Sequence, residues 1–129
     1  MDAKTNDSTP QRPEGHRILN DQSVEMDVQH FIHQIKSEKN WKEGEKNSIT
    51  LFKSDKMRIV LIGLHQNAEL KKHSANAMIS VQVLEGKIEF ETDNSTHLLS
   101  SGQIIALHPN LSHRVIARAE SFFLLTLAS

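Results

Sequence analysis

The sequence contains no cysteine and no tyrosine, and each absence narrows the functions open to the protein. Without cysteine the chain forms no disulfide bond and offers no thiolate as a nucleophile or metal ligand. Aromatic residues make up 5% of the chain, too few for a row of rings on which nucleic-acid bases stack. The formal net charge is −1, with basic residues scattered among acidic ones, so we expect no nucleic-acid partner.

Long apolar runs are also missing. The N-terminal MDAKTNDSTPQRPEGH lacks the apolar region of a secretory signal, and SFFLLTLAS near the C-terminus is too short to cross a bilayer. We therefore expect a cytoplasmic protein that makes no contact with a membrane. Its 129 residues, 37% of them hydrophobic, are enough for one globular domain with one core.

The N-terminal part of the chain predicts a tail and a helix. Polar residues without periodicity fill residues 1–17, which we predict to be a disordered tail in front of a single domain over 18–129. Apolar residues then recur at helical spacing and predict an amphipathic helix over about 24–38. His30 and His33 lie side by side on it, and we interpret them as a solvent-facing pair. We expect Trp41 to anchor the helix on a sheet.

From Ser48 onward the hydrophobic period changes from about 3.6 to 2. About nine short segments rich in β-branched residues follow, separated by turn residues and without a helix between them. This pattern predicts an antiparallel sandwich or barrel over about 48–128. The clearest segment, MISVQVLEGKIEFET, alternates strictly on both sides of Gly86, and we predict that it forms a hairpin.

Histidine is frequent, with eight in the chain. His73 precedes Gly86, and His113 follows Gly102 and the turn at 108–110. The first motif of the cupin family has two histidines one residue apart, a glutamate four positions on, and a glycine after six more residues. His73 and Gly86 match its first histidine and its glycine. In the second motif Gly102, the turn at 108–110 and His113 match. The chain thus resembles the cupins, which implies an all-β, cupin-like antiparallel jelly-roll β-barrel with one N-terminal amphipathic helix.

Other motif positions depart from the family. Ala75 stands at the second histidine, Ile79 at the glutamate, and Ala117 at the asparagine of the second motif. A full cupin site offers three histidines and one glutamate to a divalent metal, so only His73 and His113 are left as candidate metal ligands. Two imidazoles hold a metal poorly, because zinc sites use three or four protein ligands and non-haem iron sites add a carboxylate.

Three further residues are candidates for additional ligands. Glu69 and His65 lie at even offsets from His73 and would share its face on an unbroken strand, and Asn76 is close in sequence, where we expect a loop. None of the three fits the family pattern.

Three functions remain open. The first, which we favour, is a barrel that binds a small molecule through His73 and His113 beside an apolar wall formed by Ile79, Val81, Val83 and Phe90. The second is a metal-dependent cupin enzyme of the isomerase or oxygenase type, with iron, manganese, zinc or nickel on the same two histidines. The third is a structural or interaction module whose barrel is filled by its own side chains. The resemblance also implies a homodimer.

Overall fold

The computed structural model describes residues 4–6 and 17–129. Its elements in chain order are β1 (Lys4–Asn6), β2 (Arg17–Asn20), α1 (Val28–Ser37), α2 (Lys39–Glu43), β3 (Lys46–Lys53), β4 (Met57–Leu64), β5 (Glu69–His73), β6 (Met78–Glu85), β7 (Lys87–Thr92), β8 (Thr96–Ser100), β9 (Ile104–Leu107), β10 (His113–Ala117) and β11 (Ser121–Ala128).

Strands β3–β11 form two antiparallel sheets. One sheet has four strands in the order β5-β10-β7-β8, and the other has five in the order β3-β4-β11-β6-β9. Because side chains alternate along each strand, every strand contributes one row to the space between the sheets and one row outside it. The predicted all-β jelly roll with a short N-terminal helix is confirmed.

Two apolar clusters hold these layers together. The larger one fills the space between the sheets and includes Ile79 and Val83 of β6, Ile88 and Phe90 of β7, and Phe123 of β11. The smaller cluster lies outside the five-stranded sheet, where the following buried side chains meet: Ile32, Ile35, Trp41, Ile49, Leu51, Leu61 and Phe122. The helices thus cover one half of that sheet's outer face.

The first helix begins later than predicted. The backbone of Asp27 is extended, and its carboxylate accepts a hydrogen bond of 3.2 Å from the backbone N–H of His30, which caps the helix at Val28. His30 and His33 are exposed, as expected. Trp41 does anchor the helical segment, although it belongs to the separate short helix α2, which the sequence did not predict.

The Trp41 contact joins that helix to the barrel. Its ring stacks on the ring of His65 with centroids 3.6 Å apart and leans against Phe122 at 5.1 Å. His65 also donates a hydrogen bond of 2.8 Å from Nε2 to the carbonyl of Trp41. These contacts hold the ring of His65 against the helical segment, and no candidate metal-binding group among the described residues includes it.

The predicted hairpin around Gly86 is wrong. Strand β6 pairs with β9 and β11, whereas β7 pairs with β8 and β10, so the chain passes from one sheet to the other at this glycine. Alternation shows which side chains share a face but does not identify the strand's partner. Ile79, Val81, Ile88 and Phe90 all face the same interior, but from opposite walls.

The predicted tail contains two stretches that the structure describes. Residues 4–6 form β1, which pairs antiparallel with β2, and that second strand includes Arg17. The pairing supplies backbone hydrogen bonds that a polar sequence can make without an apolar core. The remaining residues of the tail lie outside the described part of the chain.

Candidate ligand site at one end of the barrel

The two histidines singled out by the sequence lie together at one end of the barrel. His73 is the last residue of β5 and His113 the first of β10, and the two are direct cross-strand partners. Their rings meet edge to face, with centroids 4.4 Å apart. The fold thus brings two histidines that are far apart in the chain into direct contact.

Each histidine ring is fixed by the same local hydrogen bond. Nδ1 of His73 donates to the carbonyl of Lys71 at 2.9 Å, and Nδ1 of His113 donates to the carbonyl of Leu111 at 3.1 Å. A carbonyl oxygen only accepts, so the proton of each neutral ring is on Nδ1. Each Nε2 atom therefore carries a lone pair, and no residue in the described part of the chain hydrogen-bonds to either of them.

The two rings differ in environment. His73 is exposed, whereas His113 is only 3% exposed and stacks on the ring of Phe90, with centroids 5.4 Å apart. Burial lowers the pKa of His113, and the neighbouring His73 lowers it further, while the bond to the Leu111 carbonyl acts in the opposite direction. Burial therefore favours the neutral form of this ring.

A small polar cavity of about 160 Å³ opens beside His113. Its lining consists of Lys72, Glu91, Thr92, Asp93, Ser112, His113 and Arg114. The charges in this lining are paired: Lys72 contacts Asp93 at 2.6 Å, and Arg114 contacts Glu91 at 3.1 Å. Because side chains alternate along β7 and β10, Glu91 and Arg114 lie on the outer face of the four-stranded sheet, so the cavity opens there, whereas the His113 ring packs on Phe90 on the inner face.

The four predicted wall residues lie in the core between the two sheets. Ile79 and Val81 are 5% and 2% exposed, and Val83 and Phe90 have no exposed surface. A side chain with no accessible surface does not border a space large enough for water. Contact between these residues and a ligand stays a prediction, because neighbouring side chains cover them here.

The other two family positions provide no ligand. Ala75 packs against the core, and its carbonyl accepts a hydrogen bond of 2.8 Å from the backbone N–H of Asn110, which joins the two loops next to the site. Ile79 makes the wall beneath them apolar. Ala117, at the place of the family's asparagine, is fully buried in β10.

Glu69 does not share the face of His73, because the pairing of β5 with β10 contains a register shift. His113 pairs with His73, but Val115 pairs with Leu70, so β5 contains one extra residue between these pairs. That residue turns Glu69 to the outer face, where it contacts Arg114 at 2.9 Å. Within the described ranges, no group of three or more His, Cys, Asp or Glu side chains is placed to hold a metal ion.

Sequence reasoning missed the polar lining of the cavity. Lys72, Ser112 and Arg114 are chain neighbours of the two histidines. Their proximity follows from the same two strand ends and could have been predicted from the sequence. Asp93 comes from the turn after β7, and only the pairing of β7 with β10 brings it to this place.

Comparison with solved structures identifies the fold. A conserved protein of unknown function from Streptococcus pyogenes is 21% identical, with 86% of this chain and 91% of that one covered and a TM-score of 0.68. An RmlC-like cupin from Desulfovibrio desulfuricans is 23% identical, with 83% and 90% covered and a TM-score of 0.61. The chain therefore has the RmlC-like cupin fold.

One of the solved structures with a similar fold is that of an enzyme. Salicylate 1,2-dioxygenase from Pseudoaminobacter salicylatoxidans is 13% identical, with 65% of this chain and 25% of that one covered and a TM-score of 0.60. A scan against protein-family models and a search of curated proteins gave no match. Among the described residues, no helix is long and apolar enough to cross a membrane.

Proposed function

We propose that this cupin domain, over residues 18–129, binds a small molecule at the end of the barrel beside His73 and His113. The observation that carries the proposal is the pair of neighbouring rings whose Nε2 atoms accept no hydrogen bond from any described residue. A ligand would satisfy these ring nitrogens.

A screen of small polar compounds tests this proposal. We expect binding compounds to shift the ring signals of both histidines in NMR spectra of the full chain, and His73→Gln to weaken binding without unfolding the protein, because His73 is exposed. His33→Gln on helix α1 is the matched control, since that histidine is also exposed and lies on a different element. Compounds that bind both variants and the unchanged protein equally well would contradict the proposed site.

A metal-dependent enzyme is the second candidate, and one observation favours it. Histidines that ligate metals usually donate their other ring N–H to a carbonyl or carboxylate, as His73 and His113 do. The two Nε2 atoms would hold iron, manganese, zinc or nickel. Two imidazoles fall short of an ordinary ligand set, however, and the carboxylate of Glu69 points elsewhere.

Elemental analysis of the purified protein distinguishes these two candidates. Near-stoichiometric metal that is lost in the His73→Ala, His113→Ala double variant would support the enzyme. Absence of bound metal after incubation with excess ions would exclude it and leave small-molecule binding. If neither metal nor any compound binds, the packed interior supports the third function, an interaction module with a filled barrel.

We also propose that the protein forms a homodimer through the outer face of the five-stranded sheet. The half of this face that the helices leave uncovered is formed by Met57, Met78, Ser80, Gln82, Ile104, Ala106, Thr126 and Ala128, which we call the uncharged face. None of these residues is charged, and Met57, Met78 and Ile104 are 40%, 41% and 60% exposed. Two copies related by a twofold axis would meet there without bringing like charges together.

The size of the uncharged face predicts a weak dimer. Four strands spaced by about 4.8 Å and about five residues long cover a footprint of roughly 300 Å² per copy. Stable interfaces bury roughly 1,200–2,000 Å² in total, more than two such footprints provide. We therefore expect a reversible dimer whose population depends on protein concentration.

A further inference from the structure

We propose, building on the homodimer proposed above, that strand β9 of one copy pairs antiparallel with β9 of a second copy and so joins two dimers into a tetramer. The first ground is the position of β9. It forms the end of the five-stranded sheet, next to β6, and no other described strand pairs with it. The edge of a sheet presents backbone N–H and C=O groups to which a further strand bonds.

A hydrogen bond of Val83 shows which residues of β9 face the free edge. The N–H of Val83 donates to the carbonyl of Gln103 at 3.0 Å, just before β9 begins. Because bonding alternates along an antiparallel strand, the backbone groups of Ile105 point to β6, whereas those of Ile104 and Ala106 point away from it. Ile104 and Ala106 therefore offer two donors and two acceptors to a neighbouring strand.

The sequence around this edge lacks the charges that protect other edges. No Asp, Glu, Lys or Arg occurs from 94 to 113, although such residues make up 24% of the chain. The edge strands β3 and β5, by contrast, contain two lysines each, and lysine in an edge strand hinders pairing with another chain. Ile104 is 60% exposed, more than any other large apolar side chain among the described residues.

A twofold axis at Ile105 makes the pairing self-complementary. Ile104 of one copy then lies opposite Ala106 of the other, so a large side chain meets a small one and each copy donates two hydrogen bonds. The two Ile105 side chains, each partly buried against the core, become direct neighbours. These few bonds replace bonds to water and contribute little net free energy, so edge pairing alone does not hold two monomers together.

The uncharged face supplies the remaining contact. It includes the outer side chains of β9, so edge pairing joins the faces of two copies into one surface. Two such joined surfaces, stacked on each other, bury roughly 1,200 Å² in total, twice the area of the dimer and at the lower limit of stable interfaces. The axis of edge pairing is normal to the sheet and the axis of stacking lies parallel to it, which together define a D2 tetramer. The edge strand β8 is also uncharged but belongs to the other sheet, whose outer face is charged.

Sedimentation velocity of the full chain at rising concentration, together with hydrogen exchange of the Ile104 and Ala106 backbone amides, tests the pairing. We expect tetramers above the concentrations that give dimers, and exchange of both amides about tenfold more slowly in the tetramer than in the dimer. Ala106→Pro removes one edge donor without breaking a bond to β6, because proline is tolerated in edge strands, and should form dimers but no tetramer. Ala106→Ser keeps the N–H group and is the matched control.

A dimer as the largest species at every concentration, with both amides exchanging rapidly, would overturn the edge pairing and leave the face-to-face dimer in place. Tetramers that Ala106→Pro leaves as stable as Ala106→Ser does would also overturn it. The exchange measurement uses the unchanged protein, so it decides the question even if the proline variant fails to fold. A chain that stays monomeric would contradict the dimer, and this inference fails with it.

Discussion

At the scale of single residues, two histidines of identical local geometry carry the candidate site. Each one donates Nδ1–H to the carbonyl two residues before it, so the backbone of the strand end determines which nitrogen of the neutral ring carries the proton. The difference between them lies in burial. His113 is covered by Phe90 and its neighbours, whereas His73 reaches solvent.

Burial of His113 predicts a loss of stability in mild acid. The pKa of His113 is lowered in the folded protein, so the unfolded chain binds a proton more readily than the folded one. The stabilisation is therefore complete above the ordinary histidine pKa of about 6.5 and is lost as the pH falls through that value towards the lowered one. Urea unfolding at about pH 7.5 and about pH 5.5 should show a lower free energy of unfolding at the lower pH.

The variant His113→Gln separates this contribution from those of other groups. It removes the titrating ring, so the difference between the two pH values should become smaller than in the unchanged protein. An equally large difference in His113→Gln would show that other residues cause the acid sensitivity. His33→Gln should retain the full pH dependence, since that side chain is exposed.

At the scale of elements, the turn at Gly86 determines how the chain divides between the two sheets. Its backbone has a φ of +92°, a conformation that side chains with a Cβ rarely adopt. A Cβ at this position would also overlap the carbonyl oxygen of Glu120 and lie 2.8 Å from Cα of Ser121. The turn is thus both left-handed and pressed against the start of β11.

A comparison of two glycines tests this interpretation. Gly102 has a similar φ of +87°, but a Cβ there would meet no atom within 4 Å. Gly102→Ala should therefore cost about 1–2 kcal/mol from backbone strain alone. Gly86→Ala should cost a further ~1–3 kcal/mol, because the neighbouring backbone has to move.

Denaturant unfolding of both variants measures the two costs. Equal destabilisation of the two variants would mean that the close approach of backbone atoms at Gly86 adds nothing to the cost of the substitution. A larger loss in Gly102→Ala would contradict the structural account of both turns.

The same turn shows why strand partners could not be predicted from the sequence. Alternation on both sides of Gly86 placed Ile79, Val83 and Phe90 on interior faces, and the core confirms that placement. The partner of each strand depends on residues far along the chain, such as Phe123, which pairs with Val83. Neither periodicity nor turn composition contains that information. The register shift in β5 was equally invisible, so the orientation of Glu69 could not be derived.

At the scale of the whole molecule, the two sheets present outer faces of different character. The outer face of the four-stranded sheet carries Glu69, Glu89, Glu91, Arg114 and Arg118, which form ion pairs across the strands. The uncharged face of the other sheet has no such groups. This asymmetry is the basis of the proposed dimer.

A charged side chain placed in each face tests the dimer. Thr126→Lys puts a charge at the centre of the uncharged face and, in a twofold dimer, brings two like charges together. We expect the variant to be monomeric at concentrations where the unchanged protein is partly dimeric, as measured by sedimentation velocity. Thr96→Lys on the exposed strand β8 makes the same chemical change on the charged sheet and should leave dimerisation unchanged.

Mixing opposite charges gives a second readout. Thr126→Lys and Thr126→Glu should each be monomeric alone and associate when mixed, a result that simple loss of folding does not produce. A monomeric unchanged protein at every concentration would contradict the dimer, as would dimerisation that Thr96→Lys weakens and Thr126→Lys does not.

The sequence located the candidate site at this scale but did not describe its surroundings. The spacing of Gly86, Gly102 and the two histidines predicted a cupin barrel with His73 and His113 at one end. The nitrogen that carries the proton in each ring, the contact between the two rings and the outward turn of Glu69 all depend on distances that only the folded chain defines.

The protonation state of the two imidazole rings tests the central claim most directly. Long-range proton–nitrogen NMR of the full chain, at about pH 8 and without metal, reports which nitrogen of each ring carries the proton. Protons on Nδ1 of both His73 and His113, with unprotonated Nε2 signals that shift when a ligand binds, are the predicted result. Protons on Nε2 of both rings would contradict the account, because the pair would then present donors to a ligand.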